Sequence, residues 1–292
     1  MIIREKPSAF RLFFVLRGSL IVRIWPQMLG VAAISAAVVA AHRLFPQHVP
    51  VLDPSPFALI GIALSIFLSF RNSSCYDRWW EARRLWGQML QTARDIARQT
   101  AALDQDQRRP MLHNIIDFAH AAAAQLRGLA EDRRHGVVGR RLQAPDEILT
   151  DVQRRIGTLL RTRDLEPVEA LALTEAVTRL GQALVGCERL ANTPLPFAYT
   201  LLLHRTAYLF CFLLPFGFAN SLGWFTPLAT AIVAYTFFGI DALGEELEEP
   251  FGLMPNDLPI ATYATMIEIT LKQALGEKDL PELPIAEGFI LT

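Results

Sequence analysis

A chain of 292 residues with 52% apolar and 20% charged residues and a mean hydropathy of +0.27 is too apolar for an ordinary soluble domain, yet too polar to lie in lipid throughout. A formal net charge of −1, with no aromatic residues interleaved along a basic stripe, excludes a polyanionic partner, so no nucleic acid is expected. Cys75, Cys187 and Cys211 make neither a disulfide framework nor a zinc site and read as buried thiols, and without a P-loop, a dinucleotide fingerprint or a nucleophile elbow neither enzyme activity nor a cofactor is expected.

Residues 1–23 are basic and amphipathic: Arg4, Lys6, Arg11, Arg17 and Arg23 alternate with Phe10, Leu12, Phe13 and Phe14. Arg11 and Arg17 interrupt the apolar run, which argues against a secretory signal and for an interfacial helix on the cytoplasmic side. Ile24 to Ala41 carries no charge and approaches the ~20 residues that span a bilayer core, with Trp25 as an interface anchor. The loop His42–Asp53 has Arg43 as its only Lys or Arg. Set against the basic N-terminal segment, the positive-inside rule puts the N-terminus in the cytoplasm and this loop outside.

The second span starts at Pro54 and runs PFALIGIALSIFLSF without a charge to Phe70, then becomes RNSSCYDRWWEARRLWG without a helix breaker. This predicts one helix that leaves the bilayer for water at Phe70–Arg71 and continues to about Leu103. Residues 104–190 are rich in Arg, Asp, Glu and Ala. Apolar spacing predicts amphipathic helices over Met111–Leu129, Val152–Leu160 and Val168–Leu190, with loops near His135–Gly139 and Pro145. His113 and His120 lie one heptad apart without a third ligand, so no metal site is expected there.

Asn192–Pro196 breaks the chain before the apolar region Phe197–Ile240, which Asn220–Gly223 divides into two antiparallel spans. His204 and Arg205 sit inside the first of these, and a snorkelling and a pore-side position are both open to them. Four spans place both termini in the cytoplasm. Asp241, Glu245, Glu246, Glu248 and Glu249 then form an acidic cluster without the alternating carboxylates of a calcium-binding loop, and they read as helix-surface charge. Ile260–Ala274 has helical period, and Leu280–Thr292 reads as an extended arm against a neighbour.

Three segments in this order resemble the bestrophin family of membrane channels, and its bacterial branch in particular: FLSFRNSSCYDRWWEARRLWGQ, CERLANTPLPFAYTLLLHRTAYLF and GIDALGEELEEPFGLMPNDLP. The resemblance runs from the first span to the acidic cluster. It implies an all-α integral membrane protein with four transmembrane helices and a helical cytoplasmic domain, assembled as a homopentamer in a bacterial inner membrane. It also implies passive conduction of small monovalent ions along the five-fold axis, chloride and other anions by family, with cations as the alternative in bacterial members. The segments 1–103, 104–192, 193–249 and 250–292 would then form one continuous channel domain. The family's spacing before the Arg-Trp-Trp segment implies a hydrophobic pore neck of Ile62, Ile66 and Phe70, and less directly a cytoplasmic aperture at Val168. Animal members carry consecutive acidic residues of a calcium clasp after Pro-Phe-Gly. Here Pro250-Phe251-Gly252 is followed by Leu253-Met254-Pro255-Asn256-Asp257, so Ca²⁺ dependence is not expected. A reading of another class is a membrane-anchored sensor or interaction protein whose helical cytoplasmic domain recruits a partner.

Overall fold

The computed structural model describes residues 1–2, 10, 15, 18–48, 50, 52–135, 145–286, 289 and 291, with the side chains of 129–135 left aside. Most of the N-terminal segment expected to form an interfacial helix lies outside these residues. The described elements are helical: α1 (Ile21–Leu44), α2 (Pro54–Gln99), α3 (Gln105–His135), α4 (Pro145–Thr162), α5 (Pro167–Asn192), α6 (Phe197–Leu222), α7 (Thr226–Glu248) and α8 (Ile260–Leu275). Among the described residues three stretches are long and apolar enough to cross a membrane: Ile21–Leu44, Pro54–Gln99 and Phe197–Glu248. The last consists of α6 and α7. Between them a short 3₁₀ turn begins at Gly223, whose φ of 52° is a backbone state that disfavours any side chain.

The chain divides into two compact units. One contains α1, α6, α7 and α2 as far as Asp77. Helix α1 packs on α7 and α6, and its core gathers Ile24, Val31, Leu64, Leu68, Leu203 and Phe238. The hydroxyls of Ser35 and Thr230, both buried, satisfy one another at 2.6 Å, as an apolar interior requires of polar groups. Helices α2 and α6 come close enough that small residues are needed between them. A Cβ on Gly61 would lie 3.2 Å from the Phe210 ring, and one on Gly217 only 3.0 Å from the Phe57 ring. The Phe57 ring cannot bend away as an aliphatic tip could. Gly217→Ala is therefore expected to lose stability, because overpacking costs about 1–3 kcal/mol and the gain in helix propensity returns at most ~1 kcal/mol. A lower thermal midpoint in detergent is the expected result, and an unchanged or raised midpoint would contradict it.

The other unit contains the remainder of α2 with α3, α4, α5 and α8. Its core is built from Ala82, Trp86, Met89, Ala93 and Ile96 of α2, spaced three and four apart, with Leu112, Phe118, Ile156 and Leu173 from the other helices. Helix α5 opens with a reciprocal capping box, Glu166 with Glu169 around Pro167, and α4 opens directly at Pro145. Pro145 thus starts a helix where the sequence suggested a loop, because the missing N–H of proline costs nothing in a first turn. The segment between α7 and α8 is ordered by side chains. Arg127 donates to the carbonyls of Phe251 and Leu258 at 3.0 and 3.3 Å, and the Trp79 indole donates to that of Asn256 at 2.9 Å. Residues 279–286 form no regular element.

All three thiols are buried, and none forms a disulfide. Burial pushes the Cys187 thiol up to about 12. His113 and His120 serve the seam between α3 and the C-terminal segment: their Nε2 atoms lie 3.0 Å from Glu277 and 2.7 Å from Glu268. The hydrogen bond from His113 holds the Glu277 carboxyl below the ordinary carboxylate range, with the charges of His113 and Arg109 adding to it against burial. For Glu268, burial pushes upward, but hydrogen bonds from Lys272 and His120 outweigh it and the net shift is again down. A depressed carboxyl stabilises the fold above its unfolded value of about 4.3 and loses that contribution as pH falls through the folded value. Glu277→Gln should accordingly melt below wild type at neutral pH. The gap should close on acidification below about pH 4, and a constant gap would contradict the assignment.

Candidate functional site

Helix α2 has 46 residues, about 69 Å of rise, which is more than twice the ~30 Å hydrocarbon core of a bilayer. Its sequence is apolar all round between Phe57 and Phe70, so periodicity cannot say which face is covered. The structure does. Phe57, Leu64, Leu68, Arg71 and Cys75 are buried in their own chain and make a stripe spaced by three, four and seven residues. Ile66 stands about 160° around the helix from both Leu64 and Leu68.

Ile62, Ile66 and Phe70 are accordingly 60%, 50% and 63% exposed, one turn apart on the face opposite the stripe. Leu59, at 71%, is exposed beyond them. Ile62 and Ile66 also border an apolar groove of about 770 Å³ whose walls include Phe57, Gly61, Phe210 and Phe237. Val168, the second residue of α5, projects from the other unit with 78% exposure, and Leu171 follows it one turn on, also exposed.

The structure corrects the sequence at the end of the apolar run. The Arg71 side chain does not point into water: it is 2% exposed. Its Nη1 donates to Asp241 Oδ1 at 2.5 Å and lies 3.5 Å from the Asp241 carbonyl, while Nη2 is 3.7 Å from Glu248. The other oxygen of Asp241 lies 2.7 Å from Nδ1 of His204. Arg23 on α1 pairs with Glu245 and, at 3.9 Å, with Glu246. Asp241 and Glu246 are buried, so the acidic cluster is not simply helix-surface charge.

The reason is electrostatic. A carboxylate in a low-dielectric bundle must be paired or lose its charge, and α2 and α1 each supply a guanidinium. The His204 ring is tied to Asp241 at 2.7 Å and lies 4.5 Å from the Tyr208 ring. The available signal was the set of ionisable residues within or just beyond separate apolar helices. Such residues face one another rather than lipid. Among the described residues no group of three or more His, Cys, Asp or Glu is arranged to hold a metal ion.

Apolar helices of this length, charges paired inside their bundle and a row of large apolar side chains left uncovered define an all-helical integral membrane protein. The chain belongs to the bestrophin family: the sequence model of the bacterial/fungal bestrophin proteins matches residues 1–273. It is 44% identical to a voltage-dependent anion channel-forming protein of Mesorhizobium japonicum, across 99% of this chain and 96% of the relative. A protein of the same description from Escherichia coli is 36% identical over 96% of each chain. The fold superposes on the crystal structure of a bacterial bestrophin homologue from Klebsiella pneumoniae with a TM-score of 0.80 and 36% identity, covering 87% of this chain and 99% of that one.

Proposed function

We propose that the chain is the subunit of a homopentameric channel that conducts small monovalent anions passively across a bacterial inner membrane. In this reading α1, the first part of α2, α6 and α7 make four crossings, and both termini lie in the cytoplasm. Five copies of α2 surround the ion pathway. Ile62, Ile66 and Phe70 form three stacked apolar rings, and Val168 narrows the cytoplasmic mouth. Such a neck conducts only while it stays wet, since an apolar constriction closes by dewetting.

The observation that carries the reading is the Ile62, Ile66 and Phe70 face, large, apolar and at least half exposed on the side of α2 opposite its buried stripe. A single chain leaves such a row in contact with solvent or lipid, whereas five-fold packing around it makes a pore lining. Support for anions comes from the relatives described as anion channel-forming proteins. The neck itself is neutral, so cations remain the competing permeant class. Purified protein in planar bilayers under a NaCl gradient tests both points. Currents that reverse toward the chloride potential are expected, reversal toward the sodium potential would replace anions by cations, and absence of current would overturn the reading.

A further inference from the structure

The carboxylate of Asp241 on α7 is shared between two helices. Oδ1 accepts from Arg71 on α2, and Oδ2 lies 2.7 Å from His204 Nδ1 on α6. Since a carboxylate oxygen only accepts, Nδ1 carries the proton and donates. The guanidinium leans heavily on this one partner: among the described residues Nε and Nη2 of Arg71 find no hydrogen-bond acceptor, although Nη2 has Glu248 nearby. The fit is close, since a Cβ on Gly244 would stand 3.4 Å from Arg71 Nη1. Arg71 directly follows Phe70. Whatever fixes the Arg71 side chain therefore fixes the rotation of α2 at the last of the three exposed apolar residues.

We infer that Asp241 is a positioning residue for the conducting face of α2, and that proton uptake by His204 on its second oxygen loosens the hold on Arg71 and opens the neck. The inference rests on the channel reading given above. With His204 neutral, Arg71, Asp241 and Glu248 sum to −1, and the Asp241 charge is committed to Arg71. With His204 as imidazolium the group sums to zero, and two cations divide one carboxylate. The pull on Arg71 weakens, and α2 gains freedom to turn Phe70 from the axis. The groups around His204 are Asp241 on α7, Tyr208 and the exposed Arg205 on α6 itself, and Arg71 on α2. Glu248 lies beyond Arg71, and Arg23 of α1 pairs with Glu245 and Glu246. His204 is half exposed in the single chain.

The test measures single-channel conductance of the reconstituted full chain between about pH 7.5 and about pH 5.5, the range in which histidine changes charge. Wild type is expected to conduct severalfold more at the acid end. His204→Asn keeps an N–H near the Nδ1 position and cannot titrate. It is expected to conduct as wild type does at neutral pH and to show a flat profile. His204→Gln serves as a second non-titrating variant should the first fail to assemble. In an Ile66→Ala background the acid increase is expected to shrink, because the neck no longer limits flux; a purely electrostatic effect on the permeant ion would persist. Currents whose pH profile is the same in wild type and both His204 variants overturn the inference alone. Absence of current at every pH overturns the channel reading and the inference with it.

Discussion

Liposomes carrying Ile66→Ala are expected to pass chloride about 5–10 times faster than those carrying wild type, which corresponds to lowering the barrier by ~1–1.4 kcal/mol. In the proposed pentamer five copies of the substitution would act on one ring, so a small gain per side chain would suffice. The Ile66 side chain is half exposed in the single chain and stands a full turn from Ile62 and Phe70. Shortening it widens the middle of the proposed constriction and lets water bridge the two remaining rings. Phe70→Ala should act in the same direction. Leu209→Ala on α6 is the control: Leu209 is equally large and exposed but belongs to a helix outside the proposed pathway, so its conductance should match wild type. Equal acceleration by Leu209→Ala, or none by Ile66→Ala, would remove Ile62, Ile66 and Phe70 from the conduction path.

Arg71→Met carries the second large effect, and it falls on stability. Removing the guanidinium strips the buried Asp241 carboxylate of its arginine partner, although His204 stays on its other oxygen, and breaking a buried ion pair in this way costs about 3–5 kcal/mol. The asymmetry between one partner and both is diagnostic. Arg71→Met combined with Asp241→Leu removes the stranded charge together with its counterion and should recover much of the loss, since apolar replacement of a whole buried pair is often neutral. Thermal unfolding in detergent at neutral pH separates the cases. A single variant as stable as wild type would mean that Asp241 is solvated by other means. A double variant as unstable as the single one would mean that Arg71 acts through packing of its stem rather than its charge.

Much of the architecture was legible in the sequence because transfer to lipid is a local, additive property. Charge-free runs of suitable length stand out whatever they pack against, and the expected spans at Ile24–Ala41 and from Pro54 coincide with α1 and α2. The amphipathic segments Met111–Leu129, Val152–Leu160 and Val168–Leu190 fall within α3, α4 and α5 for a similar reason: each has a single apolar stripe at helical period. Boundaries were less legible. Helix α2 ends at Gln99 rather than near Leu103, where the Thr100 hydroxyl turns back onto the Ile96 carbonyl at 2.8 Å. Pro145 could open a helix as readily as sit in a loop.

Faces and pairings needed the tertiary structure. Where every face of α2 is apolar, composition is silent about orientation, and the family spacing supplied Ile62, Ile66 and Phe70 without saying that the chain leaves them bare. Their exposure follows from the opposite stripe, Leu64, Leu68, Arg71 and Cys75, being occupied by the chain's own helices. Arg71 looked like the first residue in water because a charge after an apolar run ordinarily marks an interface. A single helix cannot reveal that a carboxylate 170 positions away is waiting for it. The sequence by itself determined that these helices form and that they are apolar enough to enter a membrane, since both depend on short-range patterns. Only the tertiary structure decided which side of α2 is left free and which charges share the interior with it, since those depend on neighbours that are distant in the chain.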